Sequence, residues 1–142
     1  MSGFLDTSVV IRYFSGAPPD LAGEAARIID SGERLFLTGV VVAEVAYVMR
    51  SFYRIPREET IVALIGLVSR NNIATVGAGK EEVLRGLAFC LPSGRVAVAD
   101  TMVWAAACSS RDRVVYSFDE RFPADGVEVR RKRPEAKKEE RP

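Results

Sequence analysis

The stretch FLDTSVVIRYF, residues 4–14, sets the reading of the whole chain. A short strand, Met1–Leu5, ends at the lone carboxylate of Asp6. Thr7 or Ser8 is then placed to cap a helix that runs to about Phe14. The same strand-then-helix pattern recurs downstream. Pro18-Pro19-Asp20 opens a second helix, with Leu21, Ala25, Ile28 and Ile29 on one face, and Ser31-Gly32 stops it. Leu35–Leu37 is a strand, and Thr38 starts a helix to about Tyr53. Pro56 begins a further helix that Asn71-Asn72 ends, and Ile73–Val76 is the next strand. Lys80–Leu91 is helical and stops at Pro92-Ser93-Gly94, and Val96–Ser110 is a long apolar helix pattern. Val114–Tyr116 is a strand ending near Asp119, and Val127–Val129 adds an edge strand. Strands alternating with helices predict an α/β fold, a three-layer α/β/α sandwich with a mostly parallel central sheet. In such sheets chemistry gathers beyond the carboxyl ends of the strands, so acids that follow strands carry the functional reading.

At 142 residues the chain has the length of one domain, and 48% hydrophobic with 27% charged residues is the composition of a globular protein. The last 13 residues, RRKRPEAKKEERP, differ in kind: they are charged and nearly free of apolar side chains. Such a segment buries too little to offset its ordering entropy. The expected organisation is therefore a domain over residues 1–129 and a basic, disordered tail over 130–142. The formal charge of +1 is a cancellation between a body at −3 and a tail at +4. No charge-free run exceeds ten residues, and no leader is visible, so a cytoplasmic protein without a membrane span is expected. Cys90 and Cys108 lie in apolar contexts and read as free buried thiols.

There is no histidine. Ser-His-Asp and Cys-His nucleophiles, His-ligated zinc and a His general base are thereby excluded. Chemistry near neutral pH must come from carboxylates, Lys, Ser or Thr, or a metal that they hold.

Four carboxylates stand apart from their surroundings. Asp6 is the only charge between Met1 and Ile11, Glu44 the only one in Leu35–Met49, and Asp100 the only one in Val96–Ser110. Asp119 follows RVVYSF, where that strand should end. Neither helical acid has a cation one turn away: Val40, Val41, Tyr47 and Val48 flank Glu44, and Val96, Ala97, Val103 and Trp104 flank Asp100. An ionised carboxylate in apolar surroundings is costly unless paired, so gathering the acids around a cation is the inexpensive solution. An all-oxygen site suits Mg²⁺ or Mn²⁺. Without metal, acids so gathered should have raised pKa values.

FLDTSVVIRYF, TGVVVAEVAYVM, VADTMVWAAA and VVYSFDERF together resemble the PIN domain, and within it the VapC-type ribonuclease toxins. The resemblance covers residues 3–122. It implies that Asp6, Glu44, Asp100 and Asp119 are the metal ligands and catalytic acids. Thr7 and Ser117 match positions where the family places a hydroxyl beside them, with Ser8 at a small or polar position. The lead Arg95–Ala99 into Asp100 is more aliphatic than is usual there. The implied activity is metal-dependent endoribonuclease, with Mg²⁺ or Mn²⁺ as cofactor, RNA as substrate, and an antitoxin protein and a second copy of the chain as partners. The alternatives within the family are a nuclease of RNA processing or decay and a catalytically silent binding module.

An acidic body that cuts RNA needs cations near the site. Arg12, Arg50, Arg54 and the cluster Arg130–Arg133 are the candidates. Tyr47, Met49, Phe52 and Tyr53 offer an apolar groove for a partner peptide, although a core role suits Tyr47 and Phe52 equally well. Two other acid-based enzymes fail on the sequence. A haloacid-dehalogenase-like phosphatase needs a second Asp where Ser8 stands, and a receiver domain needs a paired acid and a late Lys, whereas the body's only lysine is Lys80.

Overall fold

Asp6 ends the first strand by capping the helix that follows. In the computed structural model, which describes residues 2–92 and 96–135, β1 is Gly3–Phe4 and α1 is Thr7–Ser15. Asp6 sits between them with extended backbone, and its carboxylate accepts from the N–H of Ser8. The cap is therefore one residue earlier than Thr7 or Ser8, because the aspartate itself satisfies the first free amides of the helix.

The remaining elements follow the expected order: α2 (Pro19–Ile29), β2 (Leu35–Thr38), α3 (Gly39–Ser51), α4 (Arg57–Val68), β3 (Ile73–Val76), α5 (Lys80–Phe89), α6 (Val98–Cys108), β4 (Val114–Tyr116) and β5 (Glu128–Arg130). Thr38 caps α3 by accepting the N–H of Val41. The strands are parallel, but they form two ladders among the described residues. One is β1-β2-β3, with Gly3 opposite Leu35 and Leu35 opposite Ile73; the other is β4-β5, with Val115 opposite Val129. Capping by Asp6 cuts β1 to two residues, although Leu5 N–H still donates to Phe36 O. β5 takes in Arg130, one residue into the segment expected to fray. The loop at Ser93–Arg95 and the tail beyond Glu135 lie outside the described residues.

The core is aliphatic, with Val10, Ile29, Leu37, Val45, Leu64, Val68 and Leu87 fully buried around Trp104. Each such side chain stabilises the fold by about 1.5–3 kcal/mol relative to an exposed one. Cys90 and Cys108 are free and buried, and burial pushes both thiols up.

Three contacts position the elements that carry the acids. α6 packs between α3 and α5. Gly86 of α5 lies so close to Thr101 that an added Cβ would stand 3.0 Å from the Thr101 carbonyl oxygen. Trp104 Nε1 donates to Asp125 O at 2.8 Å, tying α6 to the turn after β4. Arg57 donates to the carbonyls of Cys90 and Val96, which fixes the approach to α6. At the other end of the sheet, Lys80 Nζ donates to the carbonyls of Arg70 and Ile73 at 2.6 and 2.7 Å.

Candidate active site

Asp6 and Glu44 face one cleft, of 390 Å³, together with Thr7, Ser8, Arg12, Phe52 and Tyr53. Asp6 arrives there at the end of β1. Glu44 arrives because α3 starts at the end of the neighbouring β2. Ser8 Oγ donates to Asp6 Oδ2 at 2.8 Å. That hydroxyl first, then the N–H groups of Ser8 and Thr7, holds the Asp6 carboxyl below the usual carboxylate range.

Asp100 and Asp119 form the second pair. Asp100 occupies the first turn of α6, where the helix dipole favours a negative charge. Burial, and then the charge of Asp119, push its carboxyl above the usual range, while Arg121 pulls it back. Asp119 lies in the segment after β4, where its N–H donates to Ser117 Oγ at 3.1 Å. Its Oδ1 accepts the N–H of Arg121 at 2.9 Å and the Arg121 Nε at 3.4 Å. Its carboxyl is held low, chiefly by the Arg121 N–H.

Two expectations are revised. Asp6 and Glu44 are open to solvent rather than enclosed by apolar side chains. The apolar run of α3 continues around the helix: Val42, Val45 and Met49 are buried, whereas Val40, Glu44 and Tyr47, at i, i+4 and i+7, share an exposed face. A raised pKa is found at Asp100, but hydrogen bonds reverse it at Asp6 and Asp119. Among the described residues no three acidic or cysteine side chains stand at the spacing of a metal site, so the carboxylates are arranged as two pairs.

Arg12 lines the first cleft and donates to Ala17 O and Tyr53 Oη at 3.2 and 3.4 Å. Arg50 stands on α3 beside a smaller cavity lined by Arg57 and Thr60. Arg54 is exposed with a positive φ. Arg130 pairs with Glu128 at 3.0 Å, Arg131 with Glu120 at 3.4 Å, and Lys132 and Arg133 are exposed. Tyr47 and Phe52 are exposed, which removes the core reading for both, while Met49 is buried. Arg121 went unread in the sequence. Its signal was its place two residues after Asp119, close enough for one turn to bring both to the same carboxylate.

The model of the PIN domain matches residues 3–125, a span that holds both carboxylate pairs. The chain belongs to the PIN domain family. A curated relative of this PIN protein is Ribonuclease VapC26 of Mycobacterium tuberculosis (strain ATCC 25618 / H37Rv). The two are 27% identical over 118 residues, which is 82% of this chain and 86% of the relative. The parallel strands and flanking helices of this PIN domain are those expected from the sequence. No helix among its described residues is long and apolar enough to cross a membrane.

Proposed function

We propose that the protein is a metal-dependent endoribonuclease and the toxin of a toxin–antitoxin pair. The observation that carries the reading is the placement of Asp6, Glu44, Asp100 and Asp119 at the carboxyl side of parallel strands in a PIN domain. Membership of the family and the ribonuclease relative support hydrolysis of RNA.

The donor set supports a hard divalent cation, Mg²⁺ or Mn²⁺, since every candidate ligand is a carboxylate oxygen. The repulsion that lifts Asp100 is the kind of charge a cation relieves. Asp6 and Asp100 would be the principal ligands, with Asp119 and Glu44 completing the set. A divalent cation held there supplies water activation and neutralises charge on the phosphoryl oxygens. The chain's own groups do the positioning. Ser8 keeps Asp6 ionised and oriented, Ser117 fixes the backbone at Asp119, and Thr7 lines the cleft beside Asp6.

An antitoxin segment is proposed to cover the exposed aromatic rim at Phe52 and Tyr53. A second copy is proposed to cover the apolar groove of 530 Å³ rimmed by Val40, Val76 and Val103. Free buried thiols suit a reducing, cytoplasmic location.

The test is cleavage of RNA by the purified protein. EDTA should stop it, and Asp6→Asn or Asp100→Asn should abolish it while circular dichroism shows the fold intact. Full activity in either variant overturns the assignment. A small DNA-binding antitoxin encoded beside the gene is the expected companion of a toxin.

A further inference from the structure

Beyond β4 the chain keeps the alternation of an extended strand. Val115 is 6% exposed, Tyr116 59%, and Phe118 85%, the highest exposure of any large apolar side chain among the described residues. Side chains two apart on an extended segment share a face, so Tyr116 and Phe118 point outward together. Their separation along the strand is about 7 Å, roughly twice the rise of stacked bases, which leaves room for one base against each ring.

Phe118 is held outward by its neighbours. The Ser117 N–H donates to Arg130 O at 3.0 Å, continuing the β4-β5 ladder past Tyr116. The Asp119 N–H donates to Ser117 Oγ, and the Arg121 N–H to Asp119. Both residues flanking Phe118 are thus fixed by hydrogen bonds, and one of them is a candidate catalytic acid. Cations adjoin the rings: Arg121 on Asp119, Arg130 donating to Tyr116 Oη at 3.4 Å, and Arg131 next along the chain.

We infer that Tyr116 and Phe118 form a stacking platform for two successive unpaired bases of the RNA, with the phosphate between them delivered to the Asp100–Asp119 pair. This rests on the ribonuclease reading above and adds a substrate class to it: single-stranded RNA. Rings interleaved with cations are what a sequence-tolerant single-strand site requires, because every base offers a π face and every nucleotide a phosphate. A protein partner would want a broader continuous apolar patch than two rings bordered by Asp119 and three arginines. Paired bases present no free face, so duplex RNA is excluded.

The test uses the full chain in chelator with a short oligoadenylate and, as control, the same strand paired with oligouridylate. Because Trp104 is buried, Phe118→Trp adds the one exposed indole of the described residues. Its emission should be quenched by the single strand and not by the duplex. Phe118→Ala should weaken single-strand binding about tenfold at every salt concentration, leaving the slope of log affinity against log salt unchanged, because stacking releases no counterions. Phe118→Trp should retain affinity, and neither variant should change the melting temperature. If Phe118→Ala binds as tightly as the wild type, the platform is wrong and the ribonuclease reading stands. If the wild type neither binds nor cleaves RNA, both fall together. If the indole is quenched by raising the protein concentration alone, the rings meet a second copy of the chain and the platform is overturned.

Discussion

The hydroxyl of Ser8 donates to Asp6 Oδ2 at 2.8 Å, so the residue that caps α1 is also the first acid of the candidate site. One short hydrogen bond serves a helix terminus and a carboxylate's ionisation at once. Because the folded-state pKa of Asp6 is depressed, its contribution to stability is present above the unfolded carboxylate range and is lost as the pH falls through the lower folded value. Ser8→Ala should raise the Asp6 pKa and lower the melting temperature at neutral pH. The two proteins should converge in strong acid. A melting curve taken every half pH unit checks it, and parallel curves at all pH values would refute the coupling.

Asp100 has the opposite sign. Its folded pKa is raised, by burial and then by Asp119, so its contribution is full below the unfolded value and lost as pH rises through the folded one. Asp100→Asn should therefore melt higher than the wild type at neutral pH in chelator, and the gain should disappear below about pH 4. Adding Mg²⁺ should raise the wild-type melting temperature and leave that of the variant unmoved, since only a bound cation stabilises by mass action. Differential scanning calorimetry reads both arms.

Gly86→Ala sets helix propensity against space. Alanine gains about 1 kcal/mol in a helix interior, but its Cβ would meet the Thr101 carbonyl oxygen at 3.0 Å and the Thr101 Cβ at 3.1 Å. Backbone cannot swing aside as a flexible side chain would, and overpacking costs about 1–3 kcal/mol. A net loss of roughly 1–2 kcal/mol by urea denaturation is expected. Catalysis should fall further than stability accounts for, because Asp100 precedes Thr101.

Val40 and Val103, 74% and 52% exposed, rim the apolar groove beside α3 and α6. If a second copy covers that groove, the wild type should weigh as a dimer in light scattering. The double variant Val40→Asp, Val103→Asp should weigh as a monomer with an unchanged circular dichroism spectrum. A wild-type monomer at micromolar concentration would rule the groove out as a self-association surface.

Much of this architecture could be read before any coordinates because the punctuation is local. Thr38, Pro19 and the Asn71-Asn72 pair mark element ends through capping and fixed dihedrals, and each does so within one turn. What escaped is non-local. Glu44 read as enclosed because α3 is apolar on every side, and which side meets the core depends on α6, more than fifty residues later. The division of the strands into two ladders depends on pairing partners that no single window contains. Phe118 was inside a quoted motif, yet its role turns on exposure, which the motif does not encode.

Lys80 directs its ammonium at two main-chain carbonyls, and it is the only lysine before residue 132. Amine-directed reagents therefore meet their first freely presented side-chain amine at Lys132, well away in sequence from both carboxylate pairs. A label, tether or biosensor linkage installed by that chemistry would decorate the basic end of the chain and leave the catalytic face clean.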